Sequence, residues 1–279
     1  MTVSVIMPTY NRAHTLPIAI GSVLNQTFAD WELLIVDDGS TDNTESVVNQ
    51  FAAEDRRIKY VPLNQNSGVS TARNKGIEEA TGEYISYLDS DNYMYPDWLE
   101  NMTNFLEHHR DVSWLFPRLN TSILDHSREE TRILTETLIP DRDVGIEDLW
   151  SMHFQADPNG LVHKKSLLTN KIRWDESIQS YGDYEYALQL SRLDPNGFAV
   201  HPFALGRYIR IYGANGMCSN RGYKEIISGL VYMQKKHSDF PEWSERNGIP
   251  KRIERYTECL DKNMKPIDGL RRKYGELDG

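Results

Sequence analysis

The sequence predicts an α/β fold: a mainly parallel sheet flanked by helices, followed by a smaller carboxyl-terminal region. Three observations predict it. Apolar or β-branched runs alternate with stretches of helical period through the first 106 residues. Two of those runs, 31–36 and 83–88, end in acids, Asp37-Asp38 and Asp89-Ser90-Asp91, and open α/β sheets bind ligands beyond the carboxyl ends of their strands. After about residue 110 the alternation breaks down.

The elements follow in order. Val3–Met7 is an apolar run stopped by Pro8, a buried first strand. Thr15 caps a helix with Pro17 in its first turn, and Leu16, Ile20, Val23, Leu24 and Phe28 recur at helical spacing. After strand 31–36, Asp42 and Glu45 have capping-box spacing, and Val47, Val48 and Phe51 form the next buried stripe. Ile58–Leu63 is a third strand. Gly68–Ala80 fits a helix, strand 83–88 closes the unit, and Pro96 opens a helix through Leu106.

Beyond it, Val112–Arg118 reads as a strand, and 119–147 as a polar, acidic stretch without a period. A helix is expected at 182–192, and two strands, Phe198–Pro202 and Leu205–Ile211, with a turn near Pro202. Lys224–His237 reads as a helix and 251–279 as a charged tail, a peripheral helix or partner contact.

Composition narrows the function. A net charge of −10 over 279 residues argues against general nucleic-acid binding. The two cysteines, Cys218 and Cys259, make neither a cysteine-rich zinc site nor a disulfide framework, and fit a reducing compartment. The amino terminus lacks the pattern of a signal peptide, and no apolar run reaches the roughly 18 residues of a membrane span. The expectation is a soluble, cytoplasmic protein, with peripheral contact at the inner face of a membrane left open. Oxygen donors such as Asp89 and Asp91 suit Mg²⁺ or Mn²⁺, ions that usually sit between carboxylates and substrate phosphates. The paired acidic strand ends therefore suggest a nucleoside-diphosphate site.

Four segments carry a more specific reading: Pro8-Thr-Tyr-Asn-Arg12, Val36-Asp-Asp-Gly-Ser-Thr-Asp42, Ser67-Gly-Val-Ser-Thr-Ala-Arg-Asn-Lys-Gly76 and Leu88-Asp-Ser-Asp91. In this order and spacing they resemble a family 2 glycosyltransferase of GT-A fold. Trp174-Asp-Glu176, Gly182-Asp183 and Tyr208–Ser219 match more loosely. The resemblance implies a Rossmann-like nucleotide-sugar half at 1–110, an acceptor and catalytic-base half at 111–223, and a helical tail at 224–279. It implies a donor site from Pro8, Thr9, Tyr10, Arg12, Asp38, Gly68, Arg73, Asp89 and Ser90. Thr9 and Tyr10 would line the nucleobase pocket, Asp38 would contact base or ribose, and Arg73 the nucleotide. Asp91 would ligate a divalent Mn²⁺ or Mg²⁺, with Asp89 at the ribose or the metal shell. Asp183 would be the general base of an inverting transfer. Arg210, Tyr212 and Trp150 are candidates for diphosphate or acceptor contacts.

The implied reaction moves a sugar from a nucleotide-sugar, UDP favoured, to a hydroxyl of a glycan, glycolipid or protein, in surface polysaccharide or glycoconjugate biosynthesis. A homodimer contact through the tail stays open. The alternatives are a nucleotide-sugar-binding module without catalysis, or a sugar nucleotidyltransferase. Two departures stand out: Gly182 where relatives often have Glu before the base, and Tyr212 where many have His. Singly, each acid also fits a loop or helix cap, Arg73 a surface ion pair, and Trp150, His153 and Phe154 a core cluster.

Overall fold

A computed structural model describes residues 2–125, 133–137, 143–152, 157–168, 172–178, 180–212, 223–240, 243 and 248–262, with the backbone alone at 118–125, 133–137, 203–212, 223, 259 and 260. The expected alternation is present: β1 (Val3–Thr9), α1 (Leu16–Leu24), β2 (Trp31–Asp37), α2 (Thr44–Glu54), β3 (Ile58–Pro62), α3 (Val69–Glu79) and β4 (Tyr84–Tyr87). These four strands lie parallel in the order β3-β2-β1-β4. Every residue of β1, β2 and β4 is buried, as helices on both faces require. The short β5 (Tyr93–Met94) then leads into α4 (Trp98–His108).

The second half extends the same sheet. β6 (Trp114–Asp125) pairs antiparallel with β7 (Ile133–Thr137) and with β8 (Val162–Lys164), and β8 pairs antiparallel with β4. α5 (Ile146–Trp150) and a 3₁₀ turn at Pro158–Gly160 precede β8. α6 (Gly182–Leu193), β9 (Phe198–Tyr212), α7 (Tyr223–Lys236) and α8 (Ile249–Asp261) complete the described elements.

Three local expectations are corrected. The stretch after 118 is not aperiodic coil: β6 runs to Asp125 and hairpins with β7, because β9 offers it a long parallel partner. The two strands expected around Pro202 are the single strand β9. Its register against β6 shifts at Pro117/Arg118 and Arg118/Leu119, so residues around Pro202 are taken up in a bulge. A proline without an N–H fits a bulge as well as a turn. The capping box at Asp42 does not form: Asn43 is the N-cap, and Asp42 accepts from the Thr44 and Ala13 N–H groups at 3.0 and 3.1 Å. Asp42 thus ties α2 to the loop after β1. Residues 263–279 of the tail, and Cys218, lie outside the described residues.

Two apolar layers cover the sheet. One packs α1, α2 and α4 on it through Leu16, Ile20, Val23, Val48, Trp98 and Met102. The other places α3, α6 and α7 over Ile6, Leu34, Ile85 and Tyr87. The candidate site residues lie on the loops just beyond the carboxyl ends of β1, β2 and β4.

Candidate functional site

The loops after β1 and β2 are held as one unit. Asn11 adopts a left-handed φ of 52°, and its Oδ1 accepts from the Thr41 and Asp42 N–H groups at 2.8 and 3.3 Å. Asn tolerates that region better than most residues. Asp37 accepts from the Ser40 N–H at 2.9 Å and the Tyr60 hydroxyl at 2.7 Å. Burial first, then this carboxylate, push the Tyr60 phenol well above its usual range.

Asp38 turns the other way. Its two oxygens accept from the Ser67 and Gly68 N–H groups at 2.7 and 2.8 Å. The carboxylate that resemblance places at base or ribose thus also fixes the loop leading into α3. Gly39 makes this possible: at φ 75°, a Cβ there would lie 2.7 Å from the Asn66 nitrogen and the Gln65 carbonyl carbon. Gly68, at φ 97°, caps α3 where other residues would be strained. Tyr10 stands 44% exposed beside this floor, whereas Thr9 is buried and its hydroxyl finds no partner among the described residues.

Arg73 and Asp89 meet across the site. From α3, Arg73 Nη2 donates to Asp89 Oδ1 at 2.8 Å, its guanidinium 4.4 Å from the centre of the Trp174 ring. The Arg73 side chain is 7% exposed, and its Nε is buried without a partner among the described residues. Sequence reasoning missed Asn159. Its Oδ1 accepts the Asp89 N–H at 2.6 Å, and its Nδ2 donates to Asp89 Oδ2 at 3.1 Å and to Asp157 Oδ1 at 2.8 Å. The only signal in the sequence is Asp157-Pro158-Asn159-Gly160, a turn pattern 68 residues or more from Asp89.

Asp91 is about as exposed as Asp89, 30% against 27%, but its contacts are looser: Oδ1 accepts from Asn92 Nδ2 at 3.2 Å, and Oδ2 lies 3.9 Å from Arg12 Nε. Burial, then the charge of Asp89, push its carboxyl up to about 6 against the pull of Arg12. Ser90 between the two acids is buried. The donor set fits a divalent ion of the Mg²⁺ or Mn²⁺ type. A crowded carboxylate pair gains from a cation, and such ions complete their shell from phosphate and water. Among the described residues no cluster of three or more His, Cys, Asp or Glu side chains is placed to hold a metal.

Asp183 lies in the first turn of α6, where the helix dipole favours a carboxylate, and its Oδ1 accepts the Tyr184 N–H at 2.8 Å. Tyr181, just before the helix, is held at a left-handed φ of 64°, its hydroxyl 3.1 Å from that of Tyr256 on α8. Bulky residues reach this region only when surrounding structure holds them there.

Trp150 does not join the cluster. It is buried, donates its indole N–H to Ser191 Oγ at 3.0 Å and meets Phe240 edge to face. His153 and Phe154 lie outside the described residues. Arg210 and Tyr212 fall near the end of β9, paired with Ile123 and Asp125; their side chains lie outside the described residues. No helix among the described residues is long and apolar enough to cross a membrane.

Comparison with known proteins matches the model of "Glycosyl transferase family 2" over residues 4–169. The chain is 33% identical over 230 residues, 81% of its length and 71% of the relative's, to GalNAc(5)-diNAcBac-PP-undecaprenol beta-1,3-glucosyltransferase of Campylobacter jejuni. The chain spans about two fifths of the length of the first curated relatives it matches. S. aureus TarS, solved with UDP-GlcNAc, shares the fold at a TM-score of 0.69 and 21% identity, over 84% of this chain and 66% of that one. Mannosyltransferase PcManGT from Pyrobaculum calidifontis, solved with GDP-Man and Mn²⁺, does so at 0.63 and 19%, over 92% and 69%.

Proposed function

The chain belongs to glycosyl transferase family 2, and from that premise we propose that it is an inverting glycosyltransferase using a UDP-sugar. The acceptor is a hydroxyl of a lipid-linked glycan or growing polysaccharide, met at the inner face of a membrane. One observation carries the reading. Asp89 at the end of β4 pairs with buried Arg73 of α3, Asp38 after β2 anchors the loop that leads into the same helix, and a further acid opens α6.

The chain's residues divide the work. The 67–68 loop, held by Asp38, and the segment Thr9–Arg12 seat the nucleotide. Arg73 and Arg12 bring positive charge to a diphosphate, and Asn159 holds Asp89 in place. Asp91, with Asp89 beside it, would hold a divalent cation, whose charge stabilises the diphosphate as it leaves. Asp183 takes the proton of the acceptor hydroxyl as that oxygen attacks the anomeric carbon opposite the leaving group. A single in-line displacement with one base inverts the anomeric centre, through an oxocarbenium-like transition state. The names of relatives lend support: one acts on an undecaprenol-linked glycan, and neighbours of the same fold were solved with UDP-GlcNAc, or with GDP-Man and Mn²⁺.

The test is calorimetric titration of UDP, GDP and dTDP, with and without Mn²⁺, into wild type and Asp91→Ala. Metal-dependent binding of UDP, lost in the variant, is expected. Binding of none of the three by folded protein would overturn the reading.

A further inference from the structure

Beneath the site, side chains from four elements meet in the core. Tyr87, two residues before Asp89, ends β4, and Tyr186 lies one turn after Asp183 on α6. Their hydroxyls are 3.3 Å apart, and both reach His163 Nε2 on β8, Tyr87 at 3.0 Å and Tyr186 at 3.3 Å. All three residues are fully buried. His163 Nδ1 lies 3.2 Å from the Lys164 carbonyl, so the imidazole is neutral with its proton there and Nε2 accepts. Trp174 stacks on Tyr186 with centroids 4.4 Å apart and planes at 4°, and the Arg73 guanidinium also lies over the Trp174 ring, 4.4 Å from its centre. Arg73 in turn holds Asp89. Two chains of contact thus run from Tyr186 on α6 to the Asp89 loop: one from its hydroxyl through Tyr87 and the His163 imidazole, one from its ring through Trp174 and Arg73.

We infer that Tyr186 and Trp174 are positioning residues, which set the first turn of α6, and with it Asp183, against the Asp89–Asp91 loop. The inference rests on the proposed role of Asp183 as base. Residues one turn apart share a helix face, so Tyr186 is the inward anchor nearest Asp183. A polar network so deeply buried has few alternative arrangements, because an unmade hydrogen bond there finds no water. A fold needs only apolar filling at these places. A reaction that joins an acceptor oxygen to a donor carbon needs base and leaving group at a fixed separation, and small misplacements slow it steeply.

The experiment uses the full chain with Mn²⁺ and reads nucleoside diphosphate released from UDP-glucose, GDP-mannose or dTDP-rhamnose, with octyl glycosides as acceptors. The donor that wild type turns over fastest is used for Tyr186→Phe, Tyr87→Phe, Trp174→Phe, Asp183→Asn and the double variant Tyr186→Phe/Asp183→Asn. At Tyr186 and Tyr87 phenylalanine keeps the ring that packs the core, whereas Trp174→Phe keeps an aromatic face but loses part of the indole. Tyr186→Phe is expected to lower kcat about tenfold while donor KM stays within about twofold. The double variant is expected to be no slower than Asp183→Asn alone, since both act through one proton transfer. Wild-type kcat in Tyr186→Phe, or losses that multiply in the double variant, would overturn this inference alone. Wild-type kcat in Asp183→Asn would overturn the base assignment and the inference with it, as would turnover of no donor.

Discussion

The side-chain amide of Asn159 grips Asp89 at both ends, accepting its N–H at 2.6 Å and donating to its carboxylate at 3.1 Å. Arg73 takes the other carboxylate oxygen. The first acid of Asp-Ser-Asp is thus oriented before any ligand arrives, while Asp91 makes looser contacts, with Asn92 at 3.2 Å and Arg12 at 3.9 Å.

Asn159→Ala should therefore weaken Mn²⁺-dependent nucleotide binding about tenfold, since it removes both hydrogen bonds to Asp89 and the one to Asp157 and leaves the half-buried Asp89 N–H unpaired, a loss on the order of 1–2 kcal/mol. Calorimetry on wild type and variant measures it. Equal affinity would mean that Arg73 alone orients Asp89.

Gly39→Ala should disturb both stability and binding. The new methyl meets backbone at 2.7 Å, and the clash falls on the 65–66 segment next to the Asp38 anchor. A loss of about 1–3 kcal/mol is expected from strain at a positive φ, read by urea unfolding, with nucleotide affinity falling alongside.

Gly182→Glu, by contrast, should fold as well as wild type. A Cβ at this position meets nothing closer than Ile178 at 3.7 Å, and an acid in the first turn of α6 suits the helix dipole. An unchanged or slightly raised Tm is expected, so any change in acceptor preference can be read without a folding defect. A large drop in Tm would show that glycine serves the fold rather than the acceptor.

His163 makes stability depend on pH. Burial lowers its imidazole from 6.5 to about 4, opposed by the Lys164 carbonyl. The unfolded chain takes up a proton near 6.5 that the folded chain refuses until about 4. Its contribution is complete above 6.5 and is lost as pH falls across that window, by up to about 3 kcal/mol. Urea unfolding at pH 7.5 and pH 5 should show the drop, and His163→Gln should be less stable at pH 7.5 but lose less on acidification. An equal drop in the variant would place the titration elsewhere.

Much of the first half was legible in the sequence. β1 to β4 and their helices stand where periodicity put them, because parallel strands buried on both faces are mostly apolar, and the covering helices carry one apolar stripe. The acids at the strand ends were readable for the same reason: they interrupt those runs abruptly. The hairpin of β6 and β7 and the unbroken β9 were not readable, since their pairing is long-range and Pro202 reads locally as a turn.

The sequence by itself determined the sheet order's raw material, the position of the acids at strand ends and the resemblance to a transferase family. Only the tertiary structure decided which partner each acid has. Asp38 holds the 67–68 loop, Asp89 lies between Arg73 and Asn159, Asp91 lies beside Arg12, and Trp150 turns into the core. Periodicity records which face of an element is buried. Hydrogen bonds between residues 70 apart, such as Asn159 to Asp89, leave no local pattern, because they depend on how the elements pack and not on the spacing within any one of them.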